Sequence, residues 1–280
     1  MALLFAIVLT MGCQEEFLDF QPTGVVSGND LVNVSNVEKL IIAAYAGLGN
    51  DGLLAHQFED LWAWGTSRSD DGYKGGGGIG DQFPTHATEV FVANDPNNFN
   101  ANLNWEWIYA GISRVNDAMR RLKAIDAATY QAEAGVSQAQ RVAELRFIRG
   151  HYEFILKKLY KFPVFLDENV EKSDAITVSN RVLSDQEGWA YIADEFRDGV
   201  NNLPDSQSDE GRPTKNAARA YLAKTLLFKA YVQNDDNQVT GITQSELSEV
   251  VTLIEAIEAT GEYDLYDDYA KNFLHEFESG

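Results

Sequence analysis

Four times along this chain a Ser or Thr is followed three residues later by Glu or Gln, and each time apolar residues then recur at helical spacing. The pairs are Ser35/Glu38, Ser137/Gln140, Ser184/Glu187 and Thr243/Glu246. Such a pair can satisfy two of the amides left open at a helix start, and a stripe of period 3.6 can be buried only by a helix. Behind Ser35 the stripe is Val37, Leu40, Ile41, Ala44 and Leu48; behind Ser137 it is Val142, Leu145, Ile148, Tyr152, Ile155 and Leu159. Behind Ser184 it is Trp189, Ile192, Phe196 and Val200, and behind Thr243 it is Leu247, Val250, Ile254 and Ile257. Two further stripes lack the box. One runs from about Ala101 to Lys123 through Trp107, Gly111, Val115, Ala118 and Leu122. The other starts near Pro213-Thr214 and runs through Ala217, Ala220, Ala223, Leu227 and Ala230, small residues that let a neighbouring helix approach closely.

Six helices in succession with little strand pattern predict an all-α architecture of stacked helix pairs, tetratricopeptide-like in its pairing although no strict 34-residue period is present. The 280 residues are enough for a sizeable core. Charge narrows the partners. With 43 acidic against 22 basic residues the net charge is -21, a surface that repels phosphate backbones and argues against a nucleic-acid partner.

The amino terminus carries a different signal. Residues 2–11 (ALLFAIVLTM) are uncharged and apolar, as in the core of a secretory signal, and are too short to span a membrane. Gly12 then precedes Cys13, the chain's single cysteine, so no disulfide can form within the chain. The pattern resembles a bacterial lipoprotein box, with Cys13 as the lipid attachment site, although Leu9-Thr10-Met11 departs from the usual residues and no basic stretch precedes the apolar run. The acidic Gln14-Glu15-Glu16 resembles the signal that sends such lipoproteins to the outer face of the outer membrane. The expected organisation is a signal peptide over 1–12, a lipidated segment over 13–34, and a helical domain over 35–262 with an inserted loop at 49–100. Residues 263–280 read as the start of a further, truncated subdomain.

The inserted segment is rich in Gly, Asn and Asp, with aromatic stretches Leu61-Trp62-Ala63-Trp64 and Val90-Phe91-Val92. A loop of that length with aromatics reads as ordered and functional. Gly75, Gly77 and Gly80 formally fit the dinucleotide fingerprint, but Pro84 follows and no amphipathic helix is expected there, so a tight glycine turn is the better reading. The four His residues show no metal-ligand spacing, and His151 on the central helix reads as packing. Asp235, Asn237 and Glu246 fall at three positions of a calcium loop, but Val239 and Thr240 break the pattern; only a looser calcium site stays open. No cofactor is expected. Carboxylates are too abundant for inspection to dismiss a glycosidase pair.

Several blocks together resemble the SusD/RagB family of nutrient-binding lipoproteins. They are Cys13 to Asp19, Trp64 to Gly76, Trp105 to Asn116, Ala143 to Phe154 running on to Val164, and Gly211 to Lys224. Their order and spacing extend over essentially the whole chain. In the third and fourth blocks Asn116, Glu144, Arg146 and Arg149 are expected to hydrogen-bond neighbouring segments while Leu145, Ile148 and Tyr152 pack. The resemblance implies a non-enzymatic, lipid-anchored protein on the cell surface. Such a protein captures a glycan and hands it to a SusC-type TonB-dependent outer-membrane transporter. It also implies a ligand held by exposed aromatic rings and a few polar groups, a chemistry that suits a sugar. The candidates in the inserted loop are Trp62, Trp64, Tyr73, Asp81, Phe83 and Asn94, with Arg68, Asp70 and Asp71 as loop-fixing residues. Two other readings stay open: a helical-repeat scaffold for a peptide or protein, and an α/α-toroid glycoside hydrolase or lyase.

Overall fold

The computed structural model describes residues 31–49, 63–92, 98–170 and 173–275. Eight α-helices occur among them. They are α1 (Val34–Ala46), α2 (Phe83–Glu89), α3 (Phe99–Lys123), α4 (Ala127–Ala134), α5 (Gln138–Tyr160), α6 (Asp185–Asn202), α7 (Lys215–Ala230) and α8 (Gln244–Glu258). A short antiparallel hairpin, β1 (Tyr231–Gln233) and β2 (Val239–Ile242), joins α7 to α8, with Tyr231 opposite Ile242 and a bulge between Val232 and Gln233. The all-α stack of helix pairs read from the sequence is present.

The cap boxes met different fates. Ser184 and Glu187 form the full reciprocal box at the start of α6. Ser137 caps α5 by accepting from the Gln140 amide, but the Gln140 side chain donates instead to Gln207 Oε1 at 3.1 Å. The box expected at Ser35 is replaced by Asn33, whose side chain accepts from the Asn36 amide at 3.0 Å. Glu38 is drawn away by Arg141, with a 3.0 Å contact from Nε, and by the Tyr130 hydroxyl. Thr243 stands at the start of α8 without a side-chain cap bond, and the Glu246 carboxylate is paired with Lys229. In three of the four boxes a tertiary partner has drawn off the Glu or Gln side chain.

Two helices escaped the sequence reading. α4 is a short helix capped by Asp126 and ended by Gly135 in the left-handed region, and it buries only Tyr130. α2 begins immediately after the glycine run, with Pro84 in its first turn, where no helix was expected; Pro fits there because the amide it lacks has no intrahelical acceptor.

Each long helix packs mainly on its neighbours in sequence, α1 on α3, α3 on α5, α5 on α6, α6 on α7 and α7 on α8. The core follows this order. Val37, Ile41, Ile112, Val115, Met119 and Leu145 anchor a cluster among α1, α3, α4 and α5, and Phe154, Trp189, Ile192, Phe196 and Leu222 anchor a second among α5 to α8. Close approach between α3 and α5 depends on Gly111, where an added Cβ would meet the Tyr152 ring at 2.4 Å. α5 is thus the shared wall of both clusters.

A polar seam crosses the stack at α5. Arg149, 3% exposed, donates to Glu195 on α6 at 3.0 and 3.1 Å, to Asn116 on α3 at 2.8 Å and to Glu168 at 2.7 Å. Asn116 in turn donates to the Leu166 carbonyl at 2.8 Å, and the Tyr109 hydroxyl exchanges hydrogen bonds with the Val164 backbone. The segment after α5 is therefore tied back onto α3, as expected for Asn116 and Arg149. Fully buried Glu144 accepts from Arg141 and Arg212, each at 2.7 Å, and from Tyr45. Buried charges of this kind need both their ion pair and their hydrogen bonds, and here they have them.

Candidate functional site

Within the described part of the inserted segment, residues 74–81 turn around Lys74. Its ammonium donates to the carbonyls of Gly75 at 2.9 Å, Gly78 at 2.9 Å and Asp81 at 2.6 Å. Bringing three carbonyls onto one ammonium requires the backbone to turn at Gly75, Gly76 and Gly78, where φ is +68°, +76° and +114°. Only glycine takes such angles without steric cost. At Gly76 a Cβ would also strike Asp81 Oδ2 at 2.2 Å. Asp81 closes the turn from the other side, accepting from the Gly77 amide at 2.8 Å. The glycine run is a shell around the chain's own cation rather than a phosphate cradle.

The turn is fastened to α2 and α3. The Lys74 amide reaches Glu89 Oε1 at 3.4 Å, and Arg68 donates to the Thr88 carbonyl at 3.4 Å while its guanidinium lies 4.2 Å over the Phe91 ring. Asn98 donates to the Pro84 carbonyl, and buried Asn100 donates to Thr85 Oγ1 at 3.2 Å. Asp71 accepts from Ser69 Oγ at 3.0 Å, and Asp70 takes a positive φ. Arg68 and Asp71 thus make contacts within this segment, whereas Asp70 contributes only its backbone angle.

Against this frame the predicted site residues fall into three groups. Tyr73 and Phe83, on either side of the Lys74 turn, are 80% and 56% exposed. Asp81 is exposed with one carboxylate oxygen committed to the turn, and Trp64 is half-buried, with an indole N–H that has no acceptor among the described residues. Trp62, Asn94 and Cys13 lie outside the described residues. The sequence reading did not single out Lys74, and it gave Phe91, 58% exposed, only as part of an aromatic stretch. A lysine directly before a run of four glycines was the available signal for Lys74.

The three residues that fall at calcium-loop positions are committed elsewhere. Asp235 pairs with Arg181, Asn237 accepts from Lys161 at 2.7 Å, and Glu246 is paired with Lys229. Among the described residues no group of three His, Cys, Asp or Glu could hold a metal ion. The nearest approach to an acid–base pair lies in the polar seam. Burial would push Glu168 up, but hydrogen bonds from Arg149 and Lys123 overcome it and hold the carboxyl down at about 2. Burial, then Glu195, pushes Glu153 well above the ordinary carboxylate range. Glu153 is 1% exposed, however, and Glu168, although it lines a concavity of about 280 Å³, is held by two cations, so the two carboxyls do not form an acid–base pair facing one space. The seam is a structural device.

Comparison with known proteins accords with this architecture. Residues 82–227, just over half the chain, match the profile of a SusD-like family described as starch-binding and associating with the outer membrane. A SusD-like protein of Bacteroides ovatus is 26% identical over 246 residues, 86% of this chain and 40% of the relative. The chain thus spans well under half the length of that relative. Among solved structures, the surface glycan-binding protein A of Bacteroides uniformis superposes with a TM-score of 0.68 at 20% identity, over 89% of this chain and 51% of that one. The surface glycan-binding protein A of Bacteroides thetaiotaomicron, in complex with laminarihexaose, gives 0.63 at 21% identity, over 87% and 47%. At these identities the superpositions show a shared fold.

Proposed function

The chain belongs to the SusD-like family of starch-binding proteins that associate with the outer membrane, and we propose that it is a cell-surface lipoprotein that binds a glycan and passes it to a SusC-type TonB-dependent transporter. The observation that carries the reading is the exposure of two rings, Tyr73 before the turn gathered by Lys74 and Phe83 at the start of α2 just after it. An aromatic face receives the C–H side of a sugar, and the surrounding backbone and carboxylate groups give its hydroxyls partners. The solved neighbour holding laminarihexaose supports a glucan as the first ligand class to try.

Cys13 is the proposed lipid attachment site, with Gln14-Glu15-Glu16 as the export signal behind it. No helix among the described residues is long and apolar enough to cross a membrane. Replacing Cys13 by Ser is expected to abolish incorporation of labelled fatty acid. A variant labelled like the wild type would remove the anchor from the account.

Binding without catalysis is tested in native gels cast with starch, laminarin and other plant, fungal and host polysaccharides. Selective retardation by one polymer, with no new reducing ends afterwards, is the expected result. Release of reducing ends would favour the hydrolase reading. No retardation by any polymer would count against a glycan ligand.

A further inference from the structure

Two lysines on the α5–α7 face stand out in a chain of net charge -21. Lys158 and Lys224 are exposed, and neither makes an ion pair or hydrogen bond among the described residues. Both ammonium groups lie 5.3 Å from the centroid of the same Phe154 ring, and Lys224 is also 5.8 Å from that of Tyr221. His151 packs edge-on against Tyr221 at 5.5 Å. Partial burial, then Lys224, holds Lys158 below the ordinary lysine range, and burial followed by Lys224 and Lys158 lowers His151. Like charges gathered over one ring without a carboxylate between them destabilise the free protein and favour an anion that joins them.

Lys158 also lines a concavity of about 400 Å³ between α5, α6, α7 and the β1–β2 hairpin. Its other cations are already engaged. Lys157 is 2.7 Å from Asp185 and donates to the Lys161 carbonyl, while Lys161 donates to Asn237 and to the Asn234 carbonyl. The apolar wall is Phe228, 42% exposed, backed by Trp189 at 5.3 Å with 30° between the rings. Gln233 and Asn237 bring amide groups from the hairpin to the rim. None of these residues belongs to the glycine loop.

We propose that this concavity is a second carbohydrate site, taking a sugar with a carboxylate or sulfate: the ring lies on Phe228, and the anionic group meets Lys158, which lines the concavity, and Lys224, which lies outside the lining but over the same Phe154 ring. The ring-sized apolar wall and the amide rim favour a sugar over an acidic polypeptide. The proposal rests on the glycan-binding reading only for its ligand class.

The test is titration calorimetry of the full chain with trigalacturonate, a sulfated galactotriose, neutral galactotriose and hexaglutamate. At least one acidic sugar is expected to bind, the neutral trimer is not, and the arm that responds identifies the anionic group. The double variant Lys158→Gln/Lys224→Gln should weaken acidic-sugar binding about tenfold, the size of a lost charge-assisted hydrogen bond. Tyr73→Ala should leave it unchanged. Equal binding by the double variant, or none by either acidic trimer, overturns the proposal. Hexaglutamate binding as tightly, through the same lysines, overturns it in favour of an acidic polypeptide. A neutral polysaccharide held by the wild type and released by Tyr73→Ala would keep the loop reading whatever the acidic sugars do.

Discussion

Glu153 and Glu168 lie along one polar seam and pull stability in opposite directions with pH. Glu153 is buried on α5, and neither carboxyl oxygen has a partner among the described residues. Its folded pKa is raised, so the native state binds the proton more tightly than the unfolded chain does. The stability it allows is complete below the unfolded value of about 4.3 and declines as pH rises above it. Glu153→Gln is therefore expected to melt at a higher temperature than wild type at pH 8, with the gap closing at pH 4. A gap that is absent at pH 8, or equal at both, would contradict this. Glu168 has the opposite sign: its folded pKa is lowered to about 2, so its contribution is present above the unfolded value and lost as pH falls toward 2. Removing the cation that joins the seam is the harsher change. Arg149→Ala leaves Glu195 and Glu168 without their shared partner and should cost about 3–5 kcal/mol in denaturant melts. A loss below about 1 kcal/mol, the range of surface pairs, would show that the seam is solvated.

At the scale of elements, the turn at 74–81 and the cap of α6 are the two local devices with measurable consequences. Ser184→Ala removes a complete capping box and should destabilise by about 1 kcal/mol. Lys74→Met keeps the length of the side chain but removes the donor that gathers three carbonyls. The Gly77 amide should then exchange at least about tenfold faster, since hydrogen bonds to a charged group are among the stronger local ones. Unchanged exchange would show that the glycines fold the turn alone. The stripes behind Ser137 and Ser184 gave their helices to within a few residues because apolar period and cap agreed. α4 was missed because one buried residue, Tyr130, leaves no stripe to read. α2 was missed because Pro84 looked like a breaker when it sits in a first turn. Tyr73 and Phe83 were legible as loop aromatics, but the role of Lys74 depends on carbonyl directions set by backbone angles, which no spacing rule carries.

For the whole molecule, the helix stack holds the described part of the inserted loop in place. α3 holds the loop through Asn98 and Asn100, and α3 is held by the seam on α5. The exposed rings on that loop are the core of the account, because a glycan site elsewhere would leave the same fold without a function for its glycine turn. The most direct test is the affinity of the Tyr73→Ala/Phe83→Ala double variant for the polysaccharide that retards the wild type, measured beside its melting temperature. A loss of at least about tenfold with an unchanged melting temperature is predicted, in keeping with two exposed aromatic contacts. Undiminished affinity in a folded variant would contradict the account and move the glycan away from this loop.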